Sequence, residues 1–124
     1  MNENILGLRT VIYHVSDLQK AKEWYKDVFG KDPYFDEPFY IGFEIGGYEL
    51  GLFPEKVPIK NKTVNVETYW GVEDIKSEHQ RFQELGAKEH TAIADVGGGI
   101  LVSTLLDPWS NAIGLIYNPH FKLP

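Results

Sequence analysis

Glu67 and Tyr69 carry the most chemistry for their spacing in this chain. Two apart in a stretch that alternates like a strand, they put a carboxylate and a phenol on one face, with Gly71 following on the same side. A carboxylate partly shielded there can act as a general base or pair with a cationic group on a ligand. A solvated acid at the mouth of a wide groove is the plainer reading, because no second catalytic group stands beside it in sequence. Gly42, Gly51 and Gly114 fall on the equivalent face of other strands. Each costs its strand about 0.5–1 kcal/mol relative to alanine. The compensation is either a ligand lying flat on the sheet or the bulges and bends that curl it. Tyr40 and Phe53 point the same way as Tyr69 and suit stacking on a planar ligand, with core packing as the competing use.

Other chemistries find less support. His14, His79, His90 and His120 come from separate elements without a shared spacing, so neither a paired-histidine metal site nor a Ser-His-Asp arrangement is indicated. His14 reads as a rim residue, His79 and His90 as surface groups, and His120 as part of a tail. Gly97-Gly98-Gly99 is not followed by a helix with Lys and Ser/Thr, which excludes a phosphate loop and leaves a mobile flap. With no cysteine there is no disulfide framework and no thiolate chemistry. Twelve basic against eighteen acidic residues give a net charge of -6, which disfavours nucleic acid and anionic membranes as partners. No basic stretch precedes the first apolar run and no segment is long enough to span a bilayer, so a cytoplasmic location is expected.

These side chains need strands and helices to hold them. Leu8 to Val15 alternates as a strand, and Ser16 or Asp17 caps a helix to Phe29, with Gly30 as its stop. Lys31 to Pro38 reads as a loop. Phe39 to Ile45, the turn Gly46-Gly47 and Tyr48 to Phe53 form a hairpin. If Ile45 pairs with Tyr48, then Ile41, Phe43, Leu50 and Leu52 share an apolar face for the helix. Tyr40, Gly42, Glu44, Glu49, Gly51 and Phe53 share the other. After a linker, Val66 to Val72, a helix from Glu73-Asp74 to Leu85, and strands at Lys88 to Ala94, Ile100 to Leu106 and Ala112 to Tyr117 repeat the plan. Asp17 and Asp74 are about 57 positions apart and Gly30 and Gly86 about 56. The chain is thus one domain over 1–124, with module one at about 8–53, a linker at 54–65 and module two at about 66–117.

Val15-Ser16-Asp17-Leu18, Trp24-Tyr25 and Phe29-Gly30, then Val72-Glu73-Asp74-Ile75 and Leu85-Gly86, and above all the turn Asp107-Pro108-Trp109-Ser110-Asn111, carry a further signal. Together they resemble the glyoxalase/bleomycin-resistance/dioxygenase family, also called the vicinal oxygen chelate superfamily, over nearly the whole length. The resemblance implies an α+β fold of two βαβββ modules with mixed sheets forming a concave cleft, commonly in a homodimer. It also implies that the family's metal-ligand places fall on Thr10, Gly51, Glu67 and Gly114. Only Glu67 is a plausible ligand, so no metal and no cofactor is expected, and lactoylglutathione lyase and extradiol dioxygenase activities are disfavoured.

The expectation is a small-molecule-binding protein with a metal-free pocket lined by aromatics and glycines, and the resemblance implies sequestration of a drug or toxin, as in bleomycin-resistance members. Thr10 and Ile12 on the first strand, Ile116 on the last and Trp109 on the turn complete the lining already named. One alternative is a glyoxalase-like lyase or isomerase, either metal-independent with Glu67 as base or metal-dependent with ligands elsewhere. Another is a non-catalytic dimeric interaction module.

Overall fold

Both helices begin at an aspartate. In the computed structural model, which describes residue 4 and residues 8–63 and 67–121, Asp17 Oδ1 accepts from the Lys20 amide at 3.1 Å and opens helix α1 (Leu18–Phe29). Asp74 Oδ1 accepts from the Ser77 amide at 3.1 Å and opens α2 (Ile75–Glu84). Each bond satisfies an amide that would otherwise lack an intrahelical partner. Gly30 ends α1 in the left-handed region at φ 68°, where its amide reaches the Lys26 carbonyl.

The chain divides into two compact units, residues 1–58 and 59–124. In the first, β1 (Thr10–Val15), β2 (Phe35–Glu37), β3 (Tyr40–Ile45) and β4 (Tyr48–Pro54) form a sheet of order β1-β4-β3-β2. In the second, β5 (Tyr69–Gly71), β6 (Lys88–Asp95), β7 (Leu101–Leu106) and β8 (Ala112–Tyr117) form the order β5-β8-β7-β6. In both sheets the opening strand runs parallel to the last one and the rest are antiparallel. The fold is α+β, two four-stranded mixed sheets with one helix each.

Ile45 pairs with Tyr48 as the turn predicts, and that register sets the faces. Ile41, Phe43, Leu50 and Leu52 are buried and share the core of the first unit with Tyr13, Val15, Ala21, Tyr25 and Val28. Tyr25 stacks on Tyr13 at 5.9 Å and on Phe29 at 6.1 Å. In the second unit Ile75 and Phe82 of α2 are buried, as are Leu105, Ile113 and Leu115 of the sheet.

The stretch expected to be loop, Lys31 to Pro38, contains β2, whose Phe35 pairs with Gly42. His79 is not a surface group: it is buried on the inner face of α2, with Nδ1 2.8 Å from Ser103 Oγ and Nε2 3.1 Å from Glu89 Oε1. The strand expected from Val66 is described as β5 from Tyr69; Val66 lies outside the described residues. Among the described residues no helix is long and apolar enough to cross a membrane.

Candidate functional site

On the first unit, the sheet face turned away from α1 is ordered by register. Phe35, Gly42, Gly51 and Ile12 form one row across the four strands, and Glu44, Glu49 and Thr10 form the next. The two central glycines leave a bare strip of floor, and the protein fills that strip itself. A methyl group on Gly51 would overlap the Tyr40 hydroxyl and sit 2.7 Å from Tyr40 Cζ. One on Gly42 would lie 2.9 Å from Glu49 Oε2 and 3.1 Å from Tyr34 Cε1. The phenol rings of Tyr34 and Tyr40 thus occupy the room that the glycines provide.

Glu49 is where those rings converge. Thr10 Oγ1 donates to Oε1 at 2.9 Å, the Tyr34 hydroxyl donates to Oε2, and the Tyr40 hydroxyl lies against the same carboxylate. The Tyr34 hydroxyl foremost, helped by Thr10 and Tyr40, holds the Glu49 carboxyl below its ordinary range against the opposing pull of burial. Burial, then the nearby Glu49, pushes the Tyr40 phenol up to about 12. The hydrogen bond to Glu49 raises Tyr34 as well. Neither Tyr34 nor the role of Glu49 was evident from the sequence.

On the second unit a pocket of about 100 Å³ is lined by Glu67, Tyr69 and Gly114 together with His90, Thr91 and Thr104. The three residues named first were expected to share a face; the histidine was expected at the surface, and it is exposed there while also lining the pocket. The ladder between β6 and β7 explains it. Glu89 pairs with Leu105 and Thr91 with Thr104, so two steps on β6 answer one on β7 and His90 is the extra residue of a bulge. The bulge lets Glu89 face α2 while Thr91 hydrogen-bonds Thr104 at 2.7 Å on the pocket side. Glu67 is exposed, not partly shielded. Burial, then the charge on Glu67, raises the Tyr69 phenol.

The other expected residues are placed as follows. Phe53 is about one-third exposed and edge-on to His14 at 5.7 Å. Ile116 pairs with Gly71 and is half-buried, on the strand that carries Gly114 but outside the pocket lining. Trp109 is also outside that lining; it is half-buried and its carbonyl accepts from Lys62 Nζ at 2.8 Å. The turn bearing it is built on Asp107, whose Oδ1 accepts from the Trp109 and Asn111 amides, both at 2.8 Å, and whose Oδ2 accepts from Asn111 Nδ2 at 3.0 Å. The triple-glycine turn is tied to the C-terminal segment, His120 Nε2 lying 2.6 Å from the Gly98 carbonyl.

The sequence profile of the Glyoxalase/Bleomycin resistance protein/Dioxygenase superfamily matches residues 7–115. The chain belongs to this superfamily. Among solved structures, a glyoxalase-related enzyme from Fulvimarina pelagi is 16% identical with a TM-score of 0.78, covering 97% of this chain and 94% of its own. A genomically encoded fosfomycin resistance protein from Listeria monocytogenes is 17% identical with a TM-score of 0.77, covering 94% and 96%. Lactoylglutathione lyase from Agrobacterium tumefaciens is 18% identical with a TM-score of 0.74, covering 96% and 100%. At these identities the likeness is one of fold. No curated protein sequence matches the chain.

The superfamily's divalent ion does not fit the residues this member offers. Gly51 and Gly114 supply no donor atom, and their side-chain space is taken: a methyl group on Gly114 would meet the Thr68 carbonyl and lie 2.5 Å from Tyr69 Cδ1. Among the described residues no three His, Cys, Asp or Glu side chains cluster as ligands.

Proposed function

We propose that this superfamily member binds a small molecule through the pocket of its second unit, without a protein-bound metal. The supporting observation is that Glu67, Tyr69 and His90, a carboxylate, a phenol and an imidazole, line one pocket. At about 100 Å³ the pocket is well below the roughly 300–1,000 Å³ typical of whole drug-sized ligands, so it suits the polar head of a ligand whose body lies outside. A cationic or neutral head agrees with Glu67 and with the net charge of -6. Sequestration of a harmful compound by a cytoplasmic homodimer is the role we assign to that binding.

A second reading is favoured by the bulge at His90. It gives Glu67 the companion group that the sequence lacked, and with Glu67 as base the pair would suit a metal-independent lyase or isomerase. A thermal-shift screen of planar cations, small amines, aldehydes and thiol conjugates tests both readings. A true ligand raises the melting temperature by mass action, and Glu67→Gln removes the rise. Turnover of a hit by the wild-type protein, lost in Glu67→Gln and His90→Gln, selects the enzyme. A screen without any shift rejects both.

A further inference from the structure

Glu49 differs from Asp36 and Glu44 of its sheet in what balances it. Asp36 pairs with Lys22 at 3.1 Å and Glu44 with Lys31 at 2.5 Å. Glu49 is half-buried, and among the described residues its partners are neutral hydroxyls only. Neutral donors fix the position of a carboxylate and keep it ionised, but they leave its full negative charge in place. The three hydroxyls use three of the roughly four acceptor directions a carboxylate offers.

Aromatic rings on one side of that charge remain open to solvent. Tyr34 is 64% exposed, Phe35 37% and Phe39 62%. Phe35 lies opposite Gly42, whose own side-chain position is against Glu49 Oε2, and its ring stands 6.1 Å from Tyr40 and 6.0 Å from Phe39. Ring faces are negative and attract cations, most strongly those that shed water easily. A lone carboxylate supplies few of the six to eight oxygen ligands that calcium takes, and fewer than the three or four protein ligands of a zinc site. Exposed rings beside an uncompensated anion therefore favour an organic cation over an inorganic one.

We propose that this face of the first unit is a binding site for an organic ammonium ion, with Glu49 as the counter-charge and Tyr34, Phe35 and Tyr40 as the walls. The residues of this site all belong to the first unit, whereas those lining the pocket with Glu67 all belong to the second. Phe39 extends the wall towards the hydrocarbon body of the ligand. The phenols of Tyr34 and Tyr40 keep the carboxylate aimed and stay bonded to it when the cation arrives.

The test is an NMR titration of the full chain with choline and with its uncharged carbon isostere, 3,3-dimethylbutan-1-ol. Choline is expected to shift the ring signals of Tyr34, Phe35 and Tyr40 along a saturable curve, and the isostere is not. Glu49→Gln, which keeps an acceptor for the hydroxyls and loses the charge, is expected to weaken choline binding at least about tenfold. Equal response to the isostere, no saturation by choline, or undiminished binding by Glu49→Gln would each overturn the site. The isostere comparison on the wild-type protein decides the matter even if Glu49→Gln does not fold.

Discussion

The Tyr40 hydroxyl stands where a side chain on Gly51 would project, on the sheet face turned away from α1. In the second unit the Tyr69 ring stands in the same relation to Gly114, with the Thr68 carbonyl pressed against the position as well. In this superfamily member a tyrosine thus fills each place where the resemblance puts a last-strand metal ligand.

Alanine at the strand glycines should therefore cost different amounts. Gly114→Ala meets backbone that cannot move aside, and a loss of about 1–3 kcal/mol is expected, as for other overpacked positions. Gly51→Ala meets the movable end of Tyr40 and should cost less, while freeing Tyr40 from Glu49. Gly71 has nothing within 4 Å of its side-chain position, so Gly71→Ala should stay within about 0.5 kcal/mol of the parent. Urea denaturation of the three variants checks the order.

Acid should act through Glu49. Its folded-state pKa is lowered, so its contribution is complete above the ordinary value of 4.5 and is lost as the pH falls through the folded value. The stability gap between wild type and Glu49→Gln should be flat above about pH 5 and close below it. A gap that widens on acidification would contradict the assignment. Melting curves across acidic buffers give the measurement.

Alkali should act through Tyr40. Its phenol is raised from 10.0 to about 12, so the neutral form is the one the fold favours. Its contribution is present below pH 10 and is lost as the pH rises through about 12. In an ultraviolet titration Tyr40→Phe should remove one phenol from the late-ionising fraction, near pH 12.

The buried turn before β8 should be sensitive. Asp107 and Asn111 are both buried, and Asp107→Ala would strand two amides and a carboxamide. Leaving buried donors unpaired costs about 1–3 kcal/mol, a loss that denaturation of the Asp107→Ala variant would reveal.

Much of the fold was legible because its signals are local. The aspartate caps, the glycine stops and the two-residue turn between Ile45 and Tyr48 each fix their neighbours without help from distant residues. What escaped notice depends on contacts between strands. The three residues of β2, Phe35-Asp36-Glu37, are all exposed and show no apolar alternation. Glu49 was on the right face, but its bond to Thr10 rests on the parallel register of β1 and β4, which no turn dictates. Tyr34 lies outside any strand, so no spacing aims its phenol at Glu49. His90 depended on a bulge in β6 that alternation cannot reveal. His79 was read as a surface group because the partners that make a buried imidazole tolerable come from β6 and β7, further along the chain.

The most direct test is the metal content of the purified protein after incubation with zinc, nickel, manganese and iron(II), followed by desalting. With Gly51 and Gly114 in place of ligands, far less than one ion per chain should be retained, and the panel compounds that raise the melting temperature should do so equally in chelator. Retention of one ion per chain, lost in Glu67→Gln, would contradict the account.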